Sequence, residues 1–205
     1  MKREMKRKTS EQRLREKINN LEQKIRKLDK RINKQKRLID IDFLTKLYNR
    51  QAFHKFFKNT YEGIRSANQR KNRRLQESRS SLLLINLDEF KRYNDDFGYT
   101  IGDQILKKVA KLLKRSVRNI DIVFRWGGDE FAIILIGTDI SQAEGIAKIV
   151  LTKVKEIKIK KKIVLSVSIG VAQLESDISL SQIFEKADKA LLEAKDRGRN
   201  QIVIG

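Results

Sequence analysis

Arg125-Trp126-Gly127-Gly128-Asp129-Glu130-Phe131 lies between two short apolar runs, 120–126 and 131–136. Runs of that length and composition, separated by a glycine pair, predict two strands joined by a tight hairpin. Adjacent glycines bring backbone N–H groups close to a ligand. Two carboxylates follow directly, at the tip, where folding alone has little use for them. Acids beside a nucleotide-sized opening can hold a hard cation and activate a hydroxyl. Taken alone, the same four residues read equally well as an ordinary polar turn.

On the upstream side, Ser81-Leu-Leu-Leu-Ile-Asn-Leu87 predicts a buried strand, and a helix is expected over 101–117. Before them, a helix from about residue 47 runs into a polar, Arg-rich stretch around 68–80. On the downstream side, a helix over 141–156 leads to a strand over 162–171. A last helix over 180–196 is stopped by Gly198, and a strand closes at 201–204. This alternation with one internal hairpin predicts an α/β sandwich, its helices covering a mixed sheet. His54 is the only histidine and cysteine is absent, which excludes a thiolate site, a histidine-based metal site and a Ser-His-Asp triad. Trp126 and Phe131 are expected in the core beside the hairpin, and His54 on an amphipathic helix with Phe53, Phe56 and Phe57.

The first forty residues follow another rule. Proline is absent from the chain and glycine from everything before Gly63. Leu14, Ile18, Leu21, Ile25, Leu28, Ile32 and Ile39, with Gln35 in the remaining slot, alternate spacings of four and three. Ile at a and Leu at d favour a parallel two-stranded coiled coil. Lys17–Glu22 and Lys24–Asp29 would attract across it, and Arg31–Lys36 would repel. An amphipathic helix lying on the protein's own surface is the competing reading. The expected division is a basic dimerisation stalk, 1–40, and a globular domain, 41–205.

Net charge is +21, with +10 of it on residues 1–40 (16 Lys/Arg against 6 Asp/Glu). Such a field attracts nucleic acid, anionic lipid or nucleotide phosphates without choosing among them. The basic start is not followed by an apolar stretch, and no run is long enough to span a bilayer. The sequence thus predicts a cytoplasmic protein with no transmembrane segment.

Four motifs in order resemble those of the GGDEF family of diguanylate cyclases. Asp42-Phe-Leu-Thr-Lys-Leu-Tyr-Asn-Arg50 resembles D-x-L-T-G-L-x-N-R, with Lys46 at the glycine. Asp88-Glu-Phe-Lys-Arg-Tyr-Asn-Asp95, Phe97-Gly98 and Gly102-Asp103 resemble the D-x-F-K-x-x-N-D run and its continuation. The hairpin is the signature itself. Ala187 to Asn200 resembles A-D-x-A-L-Y-x-A-K-x-x-G-R-N, with Leu192 at the tyrosine. The resemblance covers about residues 40–205. It implies a palm-like nucleotide cyclase fold, a mostly antiparallel central sheet flanked by helices, behind the coiled-coil helix.

It also implies roles. Asn94 and Asp103 would read the guanine edge, and Lys91, Lys195 and Arg199 would neutralise the triphosphate, with Gly127 and Gly128 close to the nucleotide. Asp129 and Glu130 would serve as catalytic acids and, with Asn86 and the Leu87 carbonyl, hold Mg2+ or Mn2+. The implied reaction joins two GTP molecules into cyclic di-GMP with loss of pyrophosphate, across a homodimer that the parallel coil would support. Arg118 and Asp121 resemble the family's R-x-x-D product-inhibition site. Without the resemblance, Asn94 is a turn former, Asp103 a helix cap, and Arg118–Asp121 a local ion pair. Nucleic acid is not the expected partner, since only charge supports it.

The family usually carries Asp where this chain has Asn86, which removes a negative charge from a site for hard cations. Tyr99 replaces a family histidine, and 141–156 holds no arginine to assist product binding. A second expectation therefore stands beside the cyclase: a catalytically impaired domain that binds cyclic di-GMP or GTP and signals through a protein partner.

Overall fold

The computed structural model describes residues 17–28, 39–69, 79–159 and 163–205. The chain divides into two compact units, Met1–Asp40 and Ile41–Gly205. In the first, residues 17–28 are helical, and Ile18, Leu21, Ile25 and Leu28 are all exposed. The heptad positions at 14, 32 and 35 lie outside the described residues.

The second unit is built on β1 (Ser80–Leu87), every residue of which is buried. Its apolar run is continuous because helices cover both faces of the sheet. Leu83, Ile85 and Leu87 pack in one cluster with Val109 and Leu113 of α3 (Tyr99–Ser116) and Val150 and Val154 of α4 (Ile140–Lys155). Leu82 and Leu84 point the other way, into a cluster with Phe53 and Phe57 of α1 (Arg50–Gln69) and Ile183 and Leu191 of α5 (Leu180–Asp196). The period of two in β1 thus splits one strand between two cores.

β1 is central. It pairs antiparallel with β3 (Glu130–Leu135) on one side and with β4 (Val167–Leu174) on the other. β2 (Ile122–Gly127) adds to β3 antiparallel, and β5 (Ile202–Ile204) adds to β4 parallel. The sheet order is β2-β3-β1-β4-β5, the mostly antiparallel, helix-flanked sheet expected. α5 approaches β4 closely at Gly170, where a Cβ would come within 2.1 Å of the Ala187 carbonyl oxygen. Any side chain there would push the helix off the sheet.

Three expectations shift. A short helix, α2 (Phe90–Phe97), precedes α3 and went unseen because no residue in it is fully buried and its apolar stripe is brief. α3 begins at Tyr99, two residues before the predicted start. β4 begins at Val167 rather than 162, because its partner β1 ends at Leu87, opposite Val167. Ile163 and Leu165 are buried all the same, so their apolar character read as strand. The helix over 180–196 sits where expected, opened by a capping box in which Gln182 N–H donates to Ser179 Oγ. Phe131 is buried, and Trp126 packs edge-on against Phe53 at 4.8 Å.

Candidate active site

The end of β1 and the hairpin tip meet through the backbone. Asn86 lies opposite Glu130 in the β1–β3 ladder, and Leu87 N–H donates to the Asp129 carbonyl at 3.1 Å. Asn86 continues the Leu82–Leu84 face of its strand, and Glu130 continues the Ala132–Ile134 face. Both side chains therefore lie on the α5 side of the sheet. Strand register, rather than side-chain adjustment, gathers the proposed metal donors.

The turn does not depend on its glycines in the way the sequence implied. Neither Gly127 nor Gly128 takes a positive φ. A Cβ at Gly128 would meet nothing within 4 Å, and one at Gly127 only Glu130 Oε2 at 3.5 Å. The protein itself would tolerate side chains here, so the bare backbone leaves clearance on the solvent side. Arg125 fixes the tip from outside. Its Nη2 and Nε donate to the Gly128 carbonyl at 2.8 and 3.1 Å, and its Nη1 donates to both Asp42 carboxylate oxygens at 3.2 and 3.3 Å. Burial opposes charge on Asp42, yet hydrogen bonds from the Thr45 hydroxyl and N–H, together with Arg125, hold its carboxyl below the usual carboxylate range.

Asp88 ties the third element in. It is 4 % exposed, and among the described residues it makes no ion pair; it accepts from Ser166 Oγ and Ser168 Oγ, each at 2.7 Å, and from Asn200 N–H at 3.1 Å. That last bond draws the turn after α5 to the end of β1. Lys195 stands in the last turn of α5, and Arg199 and Asn200 both adopt left-handed φ, 63° and 50°. The turn carrying Lys195 and Arg199 is thereby anchored next to Asn86 and Leu87. Sequence reading assigned Asp88, Ser166 and Ser168 no role. Asp88 stood inside a recognised motif, whereas the two serines carry no local signal, being 78 and 80 residues away in the chain.

The fourth element is the α2–α3 elbow. Glu89, with φ 53°, reverses the chain after β1 so that α2 starts at Phe90 and exposes Lys91 on its first turn. Gly98 breaks α2 from α3. Asn94 of α2 lies against the backbone of Gly102, where a Cβ would come within 1.9 Å of Asn94 Oδ1. Asp103 follows Gly102 on α3 and is exposed. Asp103 is not the cap of α3, because that helix begins at Tyr99 after Gly98. Asn94 is not a turn former either, since it lies within α2.

Arg118 and Asp121 belong elsewhere. They sit at the opposite end of the β2–β3 hairpin from the tip, about 17 Å away along β2 at the usual strand rise. Asp121 is 1 % exposed and accepts from Arg118 N–H at 2.9 Å, Arg118 Nε and Nη2 at 3.3 Å, and Ile136 N–H at 3.0 Å. Arg118 Nη2 also donates to the Ile136 carbonyl and Thr138 Oγ1.

For Mg2+ or Mn2+, the donors available are the Asn86 amide oxygen, the Leu87 carbonyl and the Asp129 and Glu130 carboxylates. Among the described residues no ion pair engages either hairpin acid, and no hydrogen bond within the protein engages the Asn86 amide. An all-oxygen set of this kind suits a hard cation. Its charge is low: among the described residues no group of three or more His, Asp or Glu converges.

Residues 39–201 match the model of the family described as diguanylate cyclase, GGDEF domain, and the chain belongs to that family. It is 41 % identical over 128 residues to diguanylate cyclase A of Treponema denticola, covering 60 % of this chain and 34 % of that protein. To diguanylate cyclase DosC of Escherichia coli strain K12 it is 36 % identical over 170 residues, 81 % of this chain and 35 % of that one. The chain thus spans about a third of the length of these curated relatives. Among solved structures, the coiled coil and GGDEF domain of DgcB from Caulobacter crescentus, in complex with c-di-GMP, superposes with TM-score 0.79 at 24 % identity, covering 94 % of this chain and 99 % of that one. That likeness speaks for the fold. Diguanylate cyclase SiaD from Pseudomonas aeruginosa, in complex with its activator SiaC, gives TM-score 0.72 at 27 % identity, covering 98 % of this chain and 75 % of SiaD. Among the described residues no helix is long and apolar enough to cross a membrane.

Proposed function

We propose that this chain is a diguanylate cyclase that condenses two GTP into cyclic di-GMP. The observation that carries this reading is the convergence at the end of β1: Asn86 opposite Glu130, Leu87 bonded to Asp129, and Asp88 bonded to the turn that bears Arg199. Asn94 and Asp103 hold the guanine edge through amide and carboxylate hydrogen bonds. Lys91, Lys195 and Arg199 offset the charge of the triphosphate, which grows at the bridging oxygen as the α-phosphate is attacked. Glu130 and Asp129 accept the proton leaving the 3′-hydroxyl. Each hydroxyl attacks the α-phosphate of the other GTP, forming one P–O bond and breaking the one to pyrophosphate. A bound Mg2+ or Mn2+, held by Asn86, the Leu87 carbonyl, Asp129 and Glu130, supplies charge neutralisation and lowers the hydroxyl pKa.

One domain holds one GTP, so two domains must face each other. Ile18, Leu21, Ile25 and Leu28 of the 17–28 helix are 47–58 % exposed, an apolar seam with no partner within its own described segment. A parallel two-stranded coil would bury that seam and place both domains at one end, at an effective concentration on the order of millimolar.

Product analysis with GTP in Mg2+ and in Mn2+ tests the reading. Cyclic di-GMP is expected from the wild type and not from Asp129→Ala/Glu130→Ala. Asn86 favours one alternative, a silenced domain acting as a receptor for cyclic di-GMP or GTP, in which Arg118 and Asp121 contribute to product binding. That alternative prevails if the wild type makes no product while Asn86→Asp does.

A further inference from the structure

A cleft of about 510 Å3 opens between α3 and the lead-in segment, residues 41–48, at the β2 edge of the sheet. Its floor is apolar, formed by the buried Leu47, Ala110 and Val123 with Tyr48 beside them. Its rim is cationic: Lys46, Lys107, Lys111, Lys114 and Arg115 line it, and no carboxylate does. None of the candidate active-site residues is among its walls.

Ion pairing does not account for these cations. Some exposed lysines of this chain pair with a glutamate four residues away, as in Lys58–Glu62, Lys148–Glu144 and Lys189–Glu185. Among the described residues none of the five rim cations makes an ion pair. Instead Lys107–Lys111 and Lys111–Arg115 place like charges four apart on one helix, each opposing the helix by about 0.2–0.5 kcal/mol. Lys114 and Arg115, in the last turn, gain from the helix dipole; Lys107 and Lys111 do not. An anion in the cleft relieves all of these repulsions together.

We infer that this cleft binds a nucleoside polyphosphate, its phosphate chain on the α3 cations and its flat base on the Leu47–Val123 floor. The volume falls in the range of small-ligand sites, and an apolar floor under a charged rim suits a ligand that is apolar at one end and polyanionic at the other. Lysines bind phosphate as point charges, so the four rim lysines with Arg115 can serve a chain of several phosphates. This inference stands independently of the cyclase reading.

The test is equilibrium binding of ATP to the full chain without divalent metal, followed by calorimetry. Saturable binding of one ATP per chain is expected. Lys107→Ala/Lys111→Ala/Lys114→Ala should weaken it by at least about tenfold, and Lys111→Glu alone should weaken it several-fold. A control of equal charge loss, Lys148→Ala/Lys186→Ala/Lys189→Ala, and the pair Lys195→Ala/Arg199→Ala should each change it by less than about twofold. Equal weakening by both triple variants would assign the binding to the general positive field and overturn the inference. Loss with the Lys195/Arg199 pair would move it to the GTP site, and absence of saturable binding would end it. Inorganic tripolyphosphate is expected to bind at least about fivefold more weakly than ATP. Equal affinity would mean a bare polyphosphate site and would overturn the assignment of a nucleoside.

Discussion

The two ends of the β2–β3 hairpin hold carboxylates in opposite circumstances. At the far end Asp121 is buried, and its oxygens accept from two backbone N–H groups and a guanidinium. At the tip Asp129 and Glu130 are partly exposed, and among the described residues neither has an ion-pair partner. An acid whose hydrogen-bonding capacity is filled by its own chain holds the fold together; one left unfilled is available to a ligand. Any ligand at Arg118 and Asp121 would compete with contacts the chain already makes.

The largest expected effects separate these ends. Asp121→Ala leaves the Arg118 and Ile136 backbone N–H groups without their acceptor, and the Arg118 guanidinium with only the Ile136 carbonyl and Thr138 Oγ1, and should destabilise by about 3 kcal/mol. For a chain of this size that lowers Tm by roughly 6–12 °C. Asp129→Ala/Glu130→Ala should leave Tm within about 2 °C while reducing cyclic di-GMP formation by roughly a hundredfold or more. Thermal unfolding and product analysis on the same preparations decide it. A Tm loss at the tip equal to that at the far end would break the contrast.

Asp88 sharpens it, because it is filled like Asp121 yet stands beside the tip. Asp88→Asn exchanges a full acceptor for an amide whose NH2 cannot accept from Ser166, Ser168 or Asn200. A loss of about 1–2 kcal/mol is expected. Because the Asn200 bond anchors the turn bearing Arg199, KM for GTP should rise several-fold with a smaller change in kcat. Ser166→Ala/Ser168→Ala should shift KM in the same direction. Unchanged KM in both variants would make Asp88 purely a folding residue.

Much of the fold was legible because the apolar pattern changes period cleanly. The run Leu82–Leu87 read as a buried strand by length and composition, and the helix over 180–196 was stopped by Gly198. The hairpin tip was legible only together with the other motifs, since alone it read equally well as a polar turn. Less legible was whatever depends on residues distant in the chain. The Asp88–Ser168 and Arg125–Asp42 bonds join segments 80 and 83 residues apart, and no local spacing announces them. The start of β4 was misplaced for the same reason, since a strand ends where its partner does. α2 was missed because its apolar stripe, Phe90, Tyr93 and Phe97, spans only eight residues, too few to mark a helix by period alone.

Arg125 holds the tip through Asp42, and pH tests that hold. Asp42's folded pKa lies below its ordinary value near 3.8. Its contribution is therefore fully present above the unfolded pKa and is lost as pH falls through the folded one. The stability difference between wild type and Asp42→Asn, about 1 kcal/mol, should be constant above roughly pH 5 and shrink below about pH 4. Denaturant titrations at pH 7, 5 and 3.5 measure it. A difference that grows on acidification would mean Arg125 finds another acceptor and the tip is held by the hairpin alone.

The smallest effect concerns Lys46, in the turn that presents Asp42 to Arg125. Lys46 donates its N–H to the Asp42 carbonyl and adopts φ 61°, a left-handed conformation at the position where the family motif has glycine. A side chain there costs about 1 kcal/mol, and glycine removes that cost while adding roughly 0.5 kcal/mol of unfolded-chain entropy. Lys46→Gly should therefore stabilise by a few tenths of a kcal/mol, whereas Lys46→Ala keeps the strained φ and should not. Both variants lose the same charge, so the difference between their denaturation midpoints isolates the backbone. Equal midpoints would mean the turn is held without strain, and that lysine at this position is neutral for the staple between the lead-in segment and the tip.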